Sequence, residues 1–231
     1  MGTPPSPAAP YSDGRLHSRP GHPPSMEPLA PGVHHLSFPN GRSALFHAPA
    51  HPGHPLPLLV MLHGAGRLYG GGDQIVLAHA TRLGACVVLP RAAGASWDAV
   101  RDHFGPDLEF IDRLLHWTFH RYPIAVDALS IAGFSDGASY ALSVGMMNGD
   151  LFHDILAFSP GFARPLRRVG LPRVFVAHGV DDKMLSVERG RMISNQLANE
   201  GYPVQYEEFD GAHLVSPEVA APVLQRVLSI A

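Results

Sequence analysis

The sequence predicts an α/β domain in which a mostly parallel, twisted sheet is flanked by helices. Short apolar runs bounded by turn residues alternate with longer amphipathic segments, and the 231 residues are 45% hydrophobic. Buried parallel strands read as continuous apolar runs, and the helices that connect them read as amphipathic segments. The chain is long enough for one large core, and no internal repeat or second core is visible.

The regular structure is predicted to open with an antiparallel hairpin and to continue as strand–helix units. VHHLSF and SALFHA form the hairpin, joined across Pro39-Asn40-Gly41. The buried strands that we predict are LPLLVML, ACVVLP, ALSIAGF, ILAFS, RVFVAHG and VQYEEF. Residues 107–122 form a helix that packs flat on the sheet, because its apolar side chains share one stripe: Leu108, Ile111, Leu115, Phe119 and Tyr122.

Residues 1–31 differ in composition from the rest of the chain. They hold nine of the 23 prolines and few large apolar residues. Such a segment buries too little surface to offset the entropy lost on ordering. We therefore predict a disordered tail over residues 1–31 and a single α/β domain over residues 32–231. An alternative is that translation starts at Met26.

Charge and composition argue against several classes of partner. The net charge of −3 gives no strong field to attract nucleic acid or anionic membranes. No apolar stretch approaches the roughly 20 residues that span a bilayer, and the N-terminus lacks the order of a secretory signal. The single cysteine, Cys86, excludes an intramolecular disulfide framework. We expect a cytoplasmic protein without nucleic-acid binding or membrane insertion, and its oligomeric state stays open.

The segment IAGFSDGASY places a serine between two glycines where a buried strand ends. Gly133, Ser135 and Gly137 suit a sharp strand-to-helix turn in which the serine backbone is strained and only glycine avoids clashing with it. The serine hydroxyl then stands clear of the sheet. A simple turn serine is the alternative, because glycine and serine are common turn residues.

A nucleophilic serine needs a base, usually histidine, and a carboxylate that orients the base. Asp181 and Asp182 directly follow the predicted strand RVFVAHG, and His213 follows the next predicted strand, VQYEEF. Because parallel strands end at one edge of the sheet, these side chains are expected near Ser135. Spacing along the chain leaves both aspartates open as the acid.

A serine nucleophile also needs N–H donors for the oxyanion of the tetrahedral intermediate. LVMLHGAG, residues 59–66, ends a buried strand in His-Gly and two more small residues. The backbone amides of Ala65 and of Asp136, the residue after the serine, are the donors that we predict.

Residues 55–231 resemble the phospholipase/carboxylesterase and polyhydroxyalkanoate-depolymerase-like branch of the α/β-hydrolases. The motifs that carry the resemblance are LHGAG, LPRAAGASWD, IAGFSDGASYAL, AFSPG, HGVDDKML and GAHLVSPE. The chain order Ser, Asp, His agrees with that superfamily. The resemblance implies an α/β-hydrolase fold and a serine esterase.

The resemblance also implies roles for single residues. Ser135 corresponds to the nucleophile and His213 to the base. The His-Gly-x-x-Asp pattern of the family selects Asp182 as the acid rather than Asp181. The sequence departs from the family at Lys183, where proline is common.

About a dozen residues join AFSPG to RVFVAHG, which predicts an open site without a large cap and favours small or short-chain esters. Alternatives are a thioesterase or acyltransferase with the same triad, or a homologue that binds a ligand without turnover. The side chains that we predict to line the substrate pocket are Leu68, Tyr69, Trp97, Phe104, Met184, Leu185 and Leu214.

We expect no cofactor and no metal. His116 and His120 have helical ligand spacing but lack the glutamate of a zinc-protease helix. His63 and His178 each precede a glycine at a predicted strand end, where a ring hydrogen-bonded to a loop is expected.

Overall fold

The structure, a computed structural model, describes residues 10–50 and 54–229. Within these residues the strands are β1 Gly32–Ser37, β2 Ser43–Ala48, β3 Leu56–Leu62, β4 Cys86–Pro90, β5 Ile124–Phe134, β6 Asp154–Phe158, β7 Arg173–Gly179 and β8 Val204–Phe209. They form one sheet in the order β1-β2-β4-β3-β5-β6-β7-β8. β2 pairs antiparallel with β1 and with β4, and the remaining pairs are parallel. The predicted fold class is confirmed.

Helices cover both faces of the sheet. The described helices are α1 Gly72–Leu83, α2 Asp98–Arg101, α3 Pro106–Phe119, α4 Asp136–Met147, α5 Val187–Asn199 and α6 Pro217–Val227. Side chains of α3, α4 and α5 share one apolar cluster with one face of the sheet. Those of α1 and α6 share a second cluster with the other face. None of the helices that the structure describes is long and apolar enough to cross a bilayer.

Two predicted boundaries move by three or more residues. β5 begins at Ile124, four residues before the apolar run. Ile124 is buried and pairs with Leu56 of β3, but residues 125–127 are intermediate or exposed and include an aspartate, so the sequence shows no apolar run there. α3 ends at Phe119 rather than at residue 122. Pro123 follows, and a residue that precedes proline disfavours helical dihedral angles.

The predicted disorder of residues 1–31 does not hold for residues 10–31, which lie against the domain. Leu16 is 1% exposed and belongs to the larger apolar cluster. Its backbone N–H donates a hydrogen bond of 2.9 Å to the side-chain oxygen of Asn148. Residues 1–9 lie outside the described residues.

Polar contacts attach this N-terminal segment. Arg15 and Arg19 both pair with Asp150, at 2.6 and 2.8 Å. The hydrogen bond from Arg15 is the main cause that lowers the pKa of Asp150 to about 2. The hydroxyl of Tyr11 donates to Asp112 at 2.9 Å. Composition missed the attachment because the contacts join residues far apart in sequence, and because the few apolar side chains of the segment, such as Leu16, are buried in the core of the domain.

The connection from β6 to β7, residues 159–172, contains no helix or strand, and all of it is described. A cap domain at this connection is therefore absent from the structure. The carboxyl ends of β5, β7 and β8 lead directly into the loops that carry the predicted site.

Candidate active site

Ser135 lies in a sharp turn between β5 and α4, with φ 55° and ψ −119°. A β-carbon added to Gly133 would lie 2.1 Å from the carbonyl oxygen of Gly137. One added to Gly137 would lie 2.4 Å from the carbonyl oxygens of Leu62 and His63. Both glycines are needed because backbone approaches backbone, and the strained dihedral angles fall on the serine itself.

The structure brings the predicted nucleophile, base and acid together. The Nε2 atom of His213 lies 2.9 Å from Oγ of Ser135, and its Nδ1 atom lies 2.6 Å from Oδ2 of Asp182. A carboxylate accepts the Nδ1–H bond, so Nε2 carries a lone pair and accepts from the serine hydroxyl. The ring of Phe134 packs on that of His213, with centroids 4.6 Å apart.

Asp182 is the aspartate in contact with the base, whereas its neighbour Asp181 is exposed. The Oδ1 atom of Asp182 accepts hydrogen bonds of 2.9 Å from the backbone N–H groups of Met184 and Leu185. Burial alone would raise the pKa of Asp182. The bonds from Leu185, His213 and Met184 outweigh it and hold the pKa below its ordinary value.

The loop after β3 lies against Ser135, the predicted nucleophile. A β-carbon on Gly64 would lie 3.1 Å from Cβ of Ser135. Ala65 then begins a short 3-10 turn. In the described part of the chain, neither the N–H of Ala65 nor that of Asp136 donates to a protein acceptor. Both predicted oxyanion donors are therefore available to a ligand.

A neutral histidine supports this loop. His63 is buried, and burial is the main cause that lowers its pKa. Its Nε2 atom accepts from the N–H of Ala92 at 3.0 Å, so Nδ1 carries the proton and donates to the carbonyl of Gly64 at 2.7 Å. The indole N–H of Trp97 donates to the His63 carbonyl at 2.7 Å. The ring is hydrogen-bonded to a loop, as expected.

Trp97 and Phe104 do not line a substrate pocket, which corrects that prediction. Both are buried, and their ring centroids lie 5.2 and 5.6 Å from that of Tyr140. Two buried carboxylates turn the loop inward. The side chain of Asp98 accepts hydrogen bonds of 2.8 Å from the Tyr140 hydroxyl and from the backbone N–H of Asp107. The side chain of Asp107 in turn accepts a hydrogen bond of 2.9 Å from the backbone N–H of Asp98.

The other predicted pocket residues divide into an exposed and a partly buried set. Leu68 is 66% exposed, Met184 76% and Leu214 37%. They stand on the loops that carry the predicted oxyanion donor Ala65, the predicted acid Asp182 and the predicted base His213. Tyr69 and Leu185 are partly buried. These side chains therefore give the open edge of the sheet apolar surface.

Sequence reasoning expected the ring of His178 to bind a loop and missed its proximity to the acid. Its Nε2 atom lies 2.8 Å from the carbonyl oxygen of Leu185 and 3.3 Å from Oδ2 of Asp182. The available signal was the His-Gly-x-x-Asp spacing, which places this histidine four residues before the acid.

Within residues 10–50 and 54–229, no group of three His, Cys, Asp or Glu side chains is arranged to hold a metal ion. His116 and His120 on α3 contact each other instead, with ring centroids 4.1 Å apart. The Nδ1 atom of His120 also lies 2.8 Å from the His116 carbonyl oxygen.

Solved structures similar to this chain include esterases and serine hydrolases. FphF, a fluorophosphonate-binding serine hydrolase of Staphylococcus aureus, is 14% identical, with 86% of this chain and 98% of that chain covered and a TM-score of 0.65. The ferulic acid esterase AmCE1/Fae1A of the anaerobic fungus Anaeromyces mucronatus is 20% identical, with 91% and 94% covered and a TM-score of 0.65.

A thermostable esterase is 21% identical, with 84% of this chain covered and a TM-score of 0.62, and this chain spans only 59% of its length. No family profile matches the chain. No curated protein matches it. At these identities the likeness establishes the architecture: the chain has the α/β-hydrolase fold.

Proposed function

We propose that the protein is a carboxylic ester hydrolase that works through an acyl-enzyme on Ser135. The observation that carries the proposal is the hydrogen-bond chain from Asp182 through His213 to Ser135, with distances of 2.6 and 2.9 Å. A strained serine with a positive φ stands at its end. Structural turn serines need neither a base nor an acid behind that base.

In the first step, Oγ of Ser135 attacks the ester carbonyl carbon while Nε2 of His213 accepts the hydroxyl proton. The carbonyl oxygen becomes an oxyanion and accepts hydrogen bonds from the N–H groups of Ala65 and Asp136. The carbon–oxygen bond to the alcohol then breaks, and Nε2–H gives its proton to the leaving oxygen. An acyl group remains on Ser135.

In the second step, water attacks the acyl carbonyl carbon while His213 accepts a proton from the water. A second tetrahedral intermediate uses the same oxyanion donors. Its breakdown returns the proton from His213 to Oγ of Ser135 and releases the carboxylic acid. Asp182 stays ionised throughout and orients the ring.

Small or short-chain esters are the proposed substrates. The connection from β6 to β7 lacks the helices of a cap, so the edge that holds Ser135 is open. The exposed side chains of Leu68, Met184 and Leu214 offer apolar contact to an acyl or alcohol group. Thioesters would use the same residues and differ only in the leaving group.

The test is hydrolysis of a chain-length series of p-nitrophenyl esters, with a matched thioester beside each ester, by the wild type and by Ser135→Ala. We expect turnover of the shorter esters and none above background in the variant. Faster turnover of the thioesters than of the matched esters would show that the leaving group is a thiol rather than an alcohol. No turnover by wild type with an intact circular dichroism spectrum would overturn the proposal in favour of a ligand-binding homologue.

A further inference from the structure

A second imidazole lies against the proposed catalytic acid. His178 is fully buried at the end of β7. Its Nε2 atom lies 2.8 Å from the carbonyl oxygen of Leu185 and 3.3 Å from Oδ2 of Asp182. That same Oδ2 atom receives the hydrogen bond from His213. Two rings therefore meet on one carboxylate oxygen.

The surroundings of His178 decide which ring nitrogen carries the proton. Both atoms that face Nε2, the Leu185 carbonyl oxygen and the Asp182 carboxylate oxygen, are acceptors, so Nε2 is the donor. The Nδ1 atom is buried and has no hydrogen-bond partner in the described part of the chain. A second proton on Nδ1 would have no acceptor, so the ring is the neutral Nε2–H tautomer.

The ring of His178 is confined on its other sides. A β-carbon on Gly190 of α5 would lie 2.9 Å from its Nδ1 atom and 3.1 Å from Cε2 of Tyr206 on β8. Glu208, the register partner of His178 on β8, is bound by Arg191 at 2.6 Å and by the Tyr206 hydroxyl at 2.8 Å. Because Glu208 already accepts from Arg191 and Tyr206, Asp182 is the carboxylate that the Nε2–H group of His178 contacts.

The backbone of Leu185 links Asp182 to His178 through two hydrogen bonds. Its N–H donates to Oδ1 of Asp182 at 2.9 Å, and its carbonyl accepts from His178. We propose that His178 is a positioning residue, whose Nε2–H group fixes the Leu185 peptide and Oδ2 of Asp182 so that the carboxylate orients His213. This inference rests on the proposed ester hydrolysis.

The matched variants are His178→Gln, which keeps a donor near Nε2, and His178→Leu, which removes it. Without the donor the carboxylate is less fixed and more basic, so it stabilises the protonated form of His213. We expect His178→Leu to lower kcat by about 10- to 100-fold with KM little changed. The acidic limb of its pH–rate profile should move to higher pH by roughly half a unit, and His178→Gln should stay near wild type.

Gly190→Ala is the independent variant, because the three atoms nearest its added β-carbon belong to His178 and Tyr206 and none of them belongs to the triad. It should shift the profile in the same direction. A long-range proton–nitrogen NMR correlation on wild type should assign the Nε2–H tautomer to His178, and this measurement does not depend on activity or on a variant that fails to fold.

Three results would overturn the inference. The first is an Nδ1–H or charged His178 ring at neutral pH, and the second is an unmoved pH–rate profile in folded His178→Leu. The third is an equal loss of kcat in His178→Leu and His178→Gln that follows the folded fraction of each variant. A wild type that hydrolyses no ester would instead overturn the proposed function, and the NMR assignment would still decide how His178 faces Asp182.

Discussion

At the scale of single residues, two adjacent aspartates occupy different environments. Asp182 accepts two backbone N–H bonds and the ring N–H of His213, whereas Asp181 is exposed. Successive side chains at a strand end point in different directions, so one carboxylate is fixed by the loop and the other is solvated. Substituting each aspartate in turn therefore tests the triad directly.

Asp182→Asn should lower kcat by roughly a thousandfold or more, because an amide in this place favours the wrong tautomer of the base. The matched variant Asp181→Asn should stay within about threefold of wild type, as expected for an exposed side chain away from the reaction. The measurement is kcat for p-nitrophenyl acetate, with circular dichroism as the control for folding. Comparable losses in the two variants would contradict the assignment.

The pH–rate profile tests the base. His213 must be unprotonated to accept the serine proton, so a pH–rate profile between about pH 5 and 8 reports on the ring. The pKa of Asp182 is held below its ordinary value, so the acid stays ionised throughout this range and adds no second limb. We expect kcat/KM to rise between about pH 5 and 8 with a single ionisation. A flat profile would argue against His213.

At the scale of elements, the site depends on how closely α4 approaches β3 and β5. The carbonyl oxygens of Leu62 and His63 leave no room for a β-carbon on Gly137. The same stretch of β3 leads into the loop that carries Ala65. A change at this glycine therefore displaces both the nucleophile turn and the oxyanion loop.

Gly137→Ala should destabilise the fold by about 3 kcal/mol, since backbone must move to admit the methyl group. It should also lower kcat by about a hundredfold through the displaced oxyanion donors. Gly161→Ala is the control, because its β-carbon would meet its nearest atom at 3.5 Å, an ordinary contact. Thermal unfolding and ester hydrolysis measure both effects, and an active, stable Gly137→Ala would refute the argument.

The elements themselves could be predicted because their signals are local. Apolar runs marked the strands, and Gly133 and Gly137 marked the turn around Ser135. The loop after β4 could not be predicted in the same way. Its aromatic residues turn inward because Asp98 and Asp107 are buried and bonded to backbone N–H groups far along the loop, and no local pattern shows that pairing.

At the scale of the whole molecule, the N-terminal segment is joined to the domain by contacts between distant parts of the chain. Arg15 and Asp150 lie 135 residues apart in sequence and 2.6 Å apart in the structure. The composition of residues 1–31 predicted disorder because composition does not show which distant residues pair with each other. The mostly parallel sheet with its antiparallel opening hairpin, by contrast, agrees with the fold class that the local apolar runs predicted.

The pairing of Asp150 makes stability depend on pH. Its pKa is lowered to about 2 in the folded chain from a usual 3.8. A lowered acid pKa adds stability above the unfolded value, and this contribution disappears as pH falls through the folded value. The Tm of wild type should therefore exceed that of Asp150→Asn near neutral pH, and the difference should shrink between about pH 4 and 2.

The control for this comparison is Asp127→Asn, since the Asp127 side chain is exposed. Its Tm should follow that of wild type at every pH. A Tm difference between wild type and Asp150→Asn that stays constant down to about pH 2 would show that the ion pairs do not attach the segment.

Labelling by a serine-directed phosphonate probe, followed by intact mass and peptide mapping, tests the central claim most directly. Wild type should gain one adduct per chain, on the peptide that contains Ser135. Ser135→Ala should gain none, and His213→Ala should react far more slowly. A folded wild type that takes up no probe, or a Ser135→Ala variant that is labelled as fast as wild type, would contradict the account.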